Sequence, residues 1–164
     1  MTAPSDGPVA AAERIGEADL ADCLSLSAAA RWNQNAADWL IFFREGVVWG
    51  IRDAGGTVVA SAALLPFPPV AAWVSMVLTS PAARGRGHAT RLMGEAIAEA
   101  GRRGLVPVLD ATPAGEPVYR RLGFSDAFRL VRWRRPGEPP TAAGTPPVGS
   151  GRRAGDEPAY PPIP

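Results

Sequence analysis

The sequence has few of the residues on which several large classes of functional site depend. Among its 164 residues there is one cysteine, Cys23, and one histidine, His88, and all 17 basic residues are arginine. A single cysteine excludes an internal disulfide and a cysteine-based zinc site, and a single histidine excludes a multi-histidine metal site. Because the arginine bias runs through the whole chain, we give it no chemical meaning at most positions.

Long apolar runs and an excess of charge are also lacking. No apolar stretch reaches about 18 residues, which a membrane-spanning helix needs, and the first 15 residues do not have the pattern of a signal peptide. The formal net charge of +1 does not favour a nucleic-acid binder. We therefore expect a soluble, cytoplasmic protein with no membrane and no nucleic acid among its partners.

The composition changes after residue 135. Residues 136–164 contain nine of the 18 prolines and five glycines, with few large apolar side chains. Such a segment cannot bury enough surface to offset the entropy lost on ordering. We expect one domain over residues 1–135 and a disordered Pro/Gly-rich tail over 136–164. The tail is either a ligand for a proline-reading domain, through Tyr160-Pro161-Pro162, or an extension without a function.

Within the first 135 residues the hydrophobic pattern alternates between helical and strand periods, which predicts an α/β fold. Asp53-Ala54-Gly55-Gly56 predicts a hairpin turn between two strands. Helices are predicted at 19–30, 31–43, 89–100 and 117–122, and strands at 47–52, 57–65, 73–78, 106–111 and 128–133. In the second helix, Trp39, Leu40 and Phe43 are expected on one face.

The third predicted helix has the clearest pattern. Its apolar residues recur at i, i+3, i+4, i+7, i+8 and i+11, from Ala89 to Ala100, and Gly101 and Gly104 are candidates to end it. It lies between two apolar strands that are expected to be buried, so the unit is strand, helix, strand and implies a parallel strand pair.

Residues 84–89, with the sequence Arg-Gly-Arg-Gly-His-Ala, join the strand to this helix. Glycines here let the backbone approach a ligand, and a helix N-terminus favours negative charge, so the loop suits a phosphate or pyrophosphate. A Walker A loop is excluded because it needs a lysine. A dinucleotide fingerprint is a weak match, since Thr90 stands where the third glycine is required.

A third pattern fits better. Arg84-x-x-Gly87-x-Ala89 after an apolar strand, with Pro81 three residues ahead, resembles motif A of the GNAT superfamily of acyl-CoA N-acyltransferases. The later Tyr119-x-x-Leu-Gly-Phe124 resembles motif B of that superfamily, in the usual order and separation. The resemblance covers roughly residues 9–135. It implies a mixed α/β fold with a central twisted sheet, a splayed parallel strand pair and flanking helices.

The resemblance also implies a set of site residues and a donor, acetyl-CoA, with no metal. The amides of the loop would hold the pyrophosphate, and the exposed backbone at the end of the fourth strand would pair with the pantetheine arm. Thr112 stands where the superfamily often has asparagine. The implied cofactor-binding residues are Val77, Leu78, Thr79, Arg84, Gly85, Arg86, Gly87, His88, Ala89 and Thr112.

Tyr119 matches the tyrosine that commonly protonates the departing thiolate. The implied reaction is direct attack of a primary amine, on a small molecule or a protein, on the acetyl thioester. Asp38, Glu45 and Asp110 are candidate bases that no spacing separates, and for Asp110 a structural role, capping the turn at Thr112, is favoured over that of a base. A homodimer is left open, and so is the need for a second domain.

Several residues have plain structural interpretations beside the functional ones. His88 as a catalytic base is disfavoured, because members of the superfamily usually carry an aliphatic or polar residue there. Cys23 fits a small core residue, and Trp32, Asn33 and Gln34 either contact the acceptor or pack. Two other functions stay open: a coenzyme A-binding sensor without turnover, and an interaction protein that acts through its Pro-rich tail.

Overall fold

The computed structural model describes residues 10–113 and 115–128. The elements follow one another as β1 (Glu13–Ile15), α1 (Leu20–Ala29), α2 (Ala36–Glu45), β2 (Val47–Arg52), β3 (Val58–Phe67), β4 (Ala71–Thr79), α3 (His88–Arg102), β5 (Val106–Val108) and α4 (Glu116–Arg121). Short 3-10 turns, Glu17–Asp19 and Pro81–Ala83, precede α1 and α3. The tail and the predicted strand at 128–133 lie outside the described residues, save Phe128.

The five strands form one sheet in the order β1-β2-β3-β4-β5. The first four pair antiparallel, with a hairpin turn at 53–56 between β2 and β3, and β4 pairs parallel with β5. The predicted mixed α/β fold with a parallel strand pair and flanking helices is confirmed. This unit ends at Ser125; of the second unit, which begins at Asp126, residues 126–128 are described.

Each face of the sheet is covered by its own apolar cluster. The cluster under α3 contains Leu92, Met93, Ala96 and Ala100 with Trp49, Ile51 and Leu64 of the sheet. The cluster under α1 and α2 contains Cys23, Leu26 and Trp39. The predicted face of α3 is therefore confirmed: its apolar stripe is the one that is buried against the strands.

Strand β4 changes face in its middle because of a β-bulge. Ala63 pairs with Ser75 but Ser61 pairs with Leu78, so two residues of β4 oppose one of β3, and Met76 has a φ of +52°. An extra residue shifts the alternation of side chains by one. Val74 therefore packs under α3, whereas Met76 and Leu78 pack under α1 and α2.

Helix α2 begins at Ala36 rather than at residue 31, which corrects the predicted boundary. The Asn35 side chain accepts hydrogen bonds from the N–H groups of Ala37 and Asp38, at 2.8 and 3.3 Å, and the Asp38 carboxylate accepts from Asn35 N–H at 2.8 Å. This reciprocal cap fixes the start of the helix. The residues packed on the core are Trp39, Phe42 and Phe43, whereas Leu40 was predicted in place of Phe42.

The expectation of a six-residue buried strand in the parallel pair was wrong. Strand β5 has three residues instead of six, and Val106 is 59% exposed, because β5 is the edge of the sheet among the described residues. Helix α3 continues through Gly101 to Arg102, and the chain leaves it at Gly104, which has a φ of +66°. A left-handed glycine after the last turn is a common helix end.

Candidate cofactor-binding site

The loop before α3 has two positions with a left-handed backbone conformation, which favours glycine. Gly85 and Gly87 both have a φ of +76°, and Gly87 is the N-cap of α3. A Cβ added at either glycine would have no neighbour within 4 Å, so both glycines border open space. Side chains other than hydrogen are strained at this φ. The loop therefore presents bare backbone to whatever approaches it.

The backbone donors of this loop are unused. The N–H groups of residues 85–90 donate to no acceptor in the part of the chain that the structure describes, and the first bond of α3 runs from Arg91 N–H to Gly87 C=O at 3.0 Å. Unpaired donors and the helix dipole together make the N-terminus attractive to an anion. Arg84 and Arg86 form no ion pair with a described residue, so their charge adds to this attraction.

A pocket of about 210 Å³ lies at this N-terminus. Its walls come from the end of β4, the 3-10 turn, the loop, the first turn of α3, and α4. They contain six of the predicted residues, Thr79, Arg84, Gly85, Gly87, His88 and Ala89, and three that sequence reasoning missed, Ala83, Thr90 and Val118. Ala83 and Thr90 adjoin the motif and could have been included, whereas no local signal points to Val118. No acidic side chain is among the lining residues.

His88 is the first residue of α3 and is 7% exposed. Its Nδ1 is buried and has no hydrogen-bond partner in the described part of the chain. Burial lowers the pKa of the His88 imidazole, and the positive charge of Arg86 lowers it further. Both effects favour the neutral ring.

The open end of β4 adjoins the same pocket. Strand β5 pairs with Ala71–Trp73 alone, so the edge of β4 from Val74 to Thr79 has no strand partner among the described residues. The bulge lies in this open stretch, and the Ser61 hydroxyl donates to the Met76 carbonyl at 2.8 Å. Val77, Leu78 and Thr79 thus lie on an unpaired edge. The side chains of Val77 and Leu78 pack in the two cores, which leaves their backbone as the part open to a ligand.

Helix α4 brings Val118 into the pocket wall and places Tyr119 beside it. The Tyr119 ring contacts Phe124 edge-on at 6.2 Å between centroids, and a Cβ on Gly115 would come within 2.8 Å of the ring. Burial raises the pKa of the Tyr119 phenol, which therefore stays protonated at neutral pH. Tyr119 itself is not among the residues that line the pocket.

Thr112 lies in the turn that precedes helix α4, whose N-cap is Gly115. Its carbonyl accepts from the N–H groups of Gly115 and Glu116 at 2.9 and 3.0 Å, and its hydroxyl accepts from Gly115 N–H at 3.3 Å. Asp110 is exposed and has no hydrogen bond in the described segments, so Thr112 itself, rather than Asp110, closes this turn. The assignment of Thr112 to the cofactor stays a prediction.

The other candidate base, nucleophile and acceptor-contact residues differ in their surroundings. The Asp38 carboxylate is held in the cap of α2, and Glu45 is exposed at the end of that helix. Burial raises the pKa of the Cys23 thiol to about 12, which is consistent with a core residue rather than a nucleophile. Gln34 has a buried Oε1 without a partner in the described residues, and Trp32 is partly exposed.

The described residues contain neither a candidate metal site nor a helix that could span a membrane. No group of three or more histidine, cysteine, aspartate or glutamate side chains could hold a metal ion there. Among the same residues, no helix has both the length and the apolar character that crossing a membrane requires.

Comparison with known proteins decides the family. The model of the acetyltransferase (GNAT) family matches residues 17–124. The chain belongs to the GNAT acetyltransferase family. A GNAT-family protein of Novosphingobium aromaticivorans is 31% identical to this chain and superposes with a TM-score of 0.58. The match covers 73% of this chain and 54% of the other protein. The resemblance found in the sequence is therefore confirmed.

Two further acetyltransferases are similar to this chain. A predicted acetyltransferase of Clostridium acetobutylicum, whose structure was determined with acetyl-CoA, is 20% identical and has a TM-score of 0.61. The match covers 76% of this chain and 95% of the other protein. The mycothiol acetyltransferase of Rhodococcus jostii is 43% identical over 56 residues. That match spans 34% of this chain and 18% of the relative, so most of the relative lies outside it.

Proposed function

We propose that this chain is an N-acetyltransferase that moves an acetyl group from acetyl-CoA to a primary amine of a small molecule or a protein. The observation that carries the proposal is the loop of residues 84–89, which borders a pocket with no acidic wall and has two left-handed glycines and unused N–H groups at residues 85–89. Membership of the GNAT acetyltransferase family supports it, and so does the relative whose structure was determined with acetyl-CoA.

In this proposal two parts of the site bind two parts of the cofactor. The amides of residues 84–89 hold the pyrophosphate, because the unused N–H groups lie at the N-terminus of α3 and Arg84 in the pocket wall adds positive charge. The unpaired edge of β4 at Val77, Leu78 and Thr79 pairs with the amide groups of the pantetheine arm, as an added strand would. Thr79 lines the same pocket as the loop, so the two contacts adjoin each other, as the pyrophosphate and the pantetheine arm do in coenzyme A.

The transfer is one substitution at the acetyl carbonyl. The amine nitrogen forms a bond to the carbonyl carbon, the carbon–sulfur bond breaks, and the products are an amide and coenzyme A. A backbone N–H of β4 stabilises the negative charge that develops on the carbonyl oxygen, an effect worth about 10²–10³ in rate for one preorganised donor. The amine loses its proton to a carboxylate or to water, and we assign no base.

Tyr119 supplies a proton to the departing thiolate. Its phenol is protonated at neutral pH because burial raises its pKa. It directly follows the pocket residue Val118 on α4. Packing against Phe124 and over Gly115 restricts the movement of the ring, and a proton donor acts best from a fixed position.

The function is tested by calorimetric titration with acetyl-CoA, followed by an assay of thiol release with a panel of primary amines. The panel includes amino sugars, amino acids, polyamines and peptides with free α- or ε-amino groups. We expect saturable binding and amine-dependent release of free thiol, above the rate of thioester hydrolysis without amine. Binding without transfer to any amine would favour a coenzyme A sensor, and absence of binding would overturn both.

A further inference from the structure

The histidine of the loop has a side chain for which the proposed mechanism has no use. His88 lines the pocket, is more than nine-tenths buried, and has a buried Nδ1 without a partner in the described part of the chain. A buried polar atom without a hydrogen bond is destabilising, and such atoms in folded proteins call for a specific explanation. Because His88 lines the pocket, a ligand there lies beside its ring, and Nε2, which is not among the buried atoms and bonds to no described residue, is the nitrogen open to that ligand.

The groups around His88 do not favour a charged imidazole while the pocket is empty of anions. Arg86 is the charged group that acts on the ring, and Arg84 lies in the same pocket wall. The other elements at the pocket contribute Thr79 from β4 and Val118 from α4, and neither carries charge. Two arginines, a helix N-terminus and the absence of a carboxylate among the lining residues favour the neutral ring in the free protein.

We propose that the His88 side chain is a ligand of the anion in this pocket, and that its imidazole takes up a proton when a pyrophosphate group binds. The proposal rests on the proposed function, because coenzyme A is the source of that group. Negative charge beside the ring favours the imidazolium form, and the anion oxygens accept hydrogen bonds from it. His88 thus binds the cofactor through its side chain, in addition to its backbone N–H.

The sign of the pH dependence follows from this coupling. Burial and Arg86 lower the pKa of His88 in the free protein, and the bound anion raises it. Between the free and the bound pKa, binding takes up as much as one proton, so affinity increases as the pH falls, by up to about tenfold per pH unit. Above the bound pKa and below the free pKa, this contribution to affinity does not change with pH.

The first test observes His88 directly. Because the sequence has one histidine, the imidazole signals in an NMR titration belong to this residue. We expect inorganic pyrophosphate to move the titration midpoint of His88 to higher pH, whereas sodium chloride at equal ionic strength does not. A midpoint that stays in place while pyrophosphate saturates the loop amides would overturn the proposal, and so would a failure of pyrophosphate to bind.

The second test counts protons with acetyl-CoA itself. Calorimetric titrations in two buffers with different ionisation enthalpies give the number of protons taken up on binding. We expect a fraction of a proton for the wild type near neutral pH and none for His88→Gln, which keeps hydrogen-bonding atoms but does not titrate. Arg86→Gln should raise the free pKa and so reduce the uptake at a pH below the bound pKa.

The outcomes separate this inference from the proposed function. Acetyl-CoA that binds and is turned over without proton uptake would overturn the role of His88 and leave the acetyltransferase intact. A pyrophosphate-induced shift of His88 in a protein that does not bind acetyl-CoA would support the anion ligand and overturn the acetyltransferase. Equal uptake in the wild type and in His88→Gln would assign the proton to another group.

Discussion

The two ends of helix α3 have nearly the same residues and opposite structures. Arg84-Gly85-Arg86-Gly87 precedes the helix, and Gly101-Arg102-Arg103-Gly104 ends it. At the second end every charge is used: the Glu99 carboxylate, 6% exposed, contacts Arg102 at 2.6 Å, Arg103 at 2.8 Å and Arg14 of β1 at 3.3 Å. At the first end, no described carboxylate pairs with either arginine, and the N–H groups of residues 85–90 have no acceptor in the described segments.

This difference indicates that the N-terminal end of α3 is open to a ligand, whereas the C-terminal end is structural. Both ends have left-handed glycines with no neighbour near the missing Cβ, Gly85 and Gly87 at one and Gly104 at the other. The C-terminal end closes on itself, since Arg103 N–H donates to the carbonyls of Glu99 and Ala100 and Leu105 N–H donates to Ala100 as well. Glycine alone therefore does not mark a ligand site; unused donors and unpaired positive charge do.

The largest expected effect comes from placing the same side chain at both ends. Gly87→Glu should weaken acetyl-CoA binding by about 100-fold or more, which is about 2.8 kcal/mol. Bulk fills the pocket, and the carboxylate repels the pyrophosphate. Gly104→Glu has a comparable left-handed strain, of about 1–2 kcal/mol, but lies at the other end of the helix. Calorimetric titration with acetyl-CoA measures both affinities.

Gly104→Glu is the matched control for backbone strain. Thermal unfolding of both variants should show similar losses of stability, while the wild-type affinity survives in Gly104→Glu alone. Equal losses of affinity in the two variants would mean that strain, and not occupation of the pocket, weakens binding. The comparison between the two ends would then have no bearing on the cofactor.

A smaller effect is expected at α4, which borders the N-terminal end. Tyr119→Phe should lower kcat about 10–100-fold. A positioned acid increases the rate by at least about 10²-fold in many enzymes, and water can replace part of that contribution. The acetyl-CoA affinity should stay within about twofold, since the ring and its packing on Phe124 are kept. Steady-state kinetics beside calorimetry measure the two quantities. An unchanged kcat across the pH range would remove Tyr119 from the mechanism.

The parts of the fold that follow from local pattern were predictable. The helical period from Ala89 to Ala100 and the Asp53-Ala54-Gly55-Gly56 turn each fix one element, and both are confirmed. The start of α2 was missed although Asn35 and Asp38, three residues apart, are a capping pattern. The bulge at Met76 had no signal, because a continuous apolar strand reads the same on either face.

The candidate site also has a part that local sequence predicts and a part that depends on tertiary packing. The glycines and arginines of the loop stand in one stretch of sequence, and six of the predicted residues meet in the pocket. Val118 reaches the pocket through the packing of α4, which no local spacing encodes. The unpartnered Nδ1 of His88 and the ion pairs of Glu99 also depend on neighbours distant in sequence, such as Arg14. Local sequence indicates which backbone is available, and tertiary packing decides which polar groups are left over.

The smallest expected effect concerns the closed end of α3. Glu99→Gln should lower the free energy of unfolding by about 1 kcal/mol at pH 7, because hydrogen bonds to a buried carboxylate contribute more than neutral ones, but the arginine partners are partly exposed. Acetyl-CoA affinity should not change, since the pocket lies at the other end. Urea unfolding and calorimetric titration measure the two effects.

The pH dependence of that effect tests its origin. Hydrogen bonds from Arg102 and then Arg103 lower the pKa of the Glu99 carboxyl below its unfolded value of about 4.3. A lowered folded pKa means that the stabilisation is complete above the unfolded pKa and is lost as the pH falls through the folded one. The difference between the wild type and Glu99→Gln should therefore shrink below about pH 4. A difference that is the same at pH 3 and pH 7 would show that Glu99 acts through packing, and the contrast of charge between the two ends of α3 would lose its energetic basis.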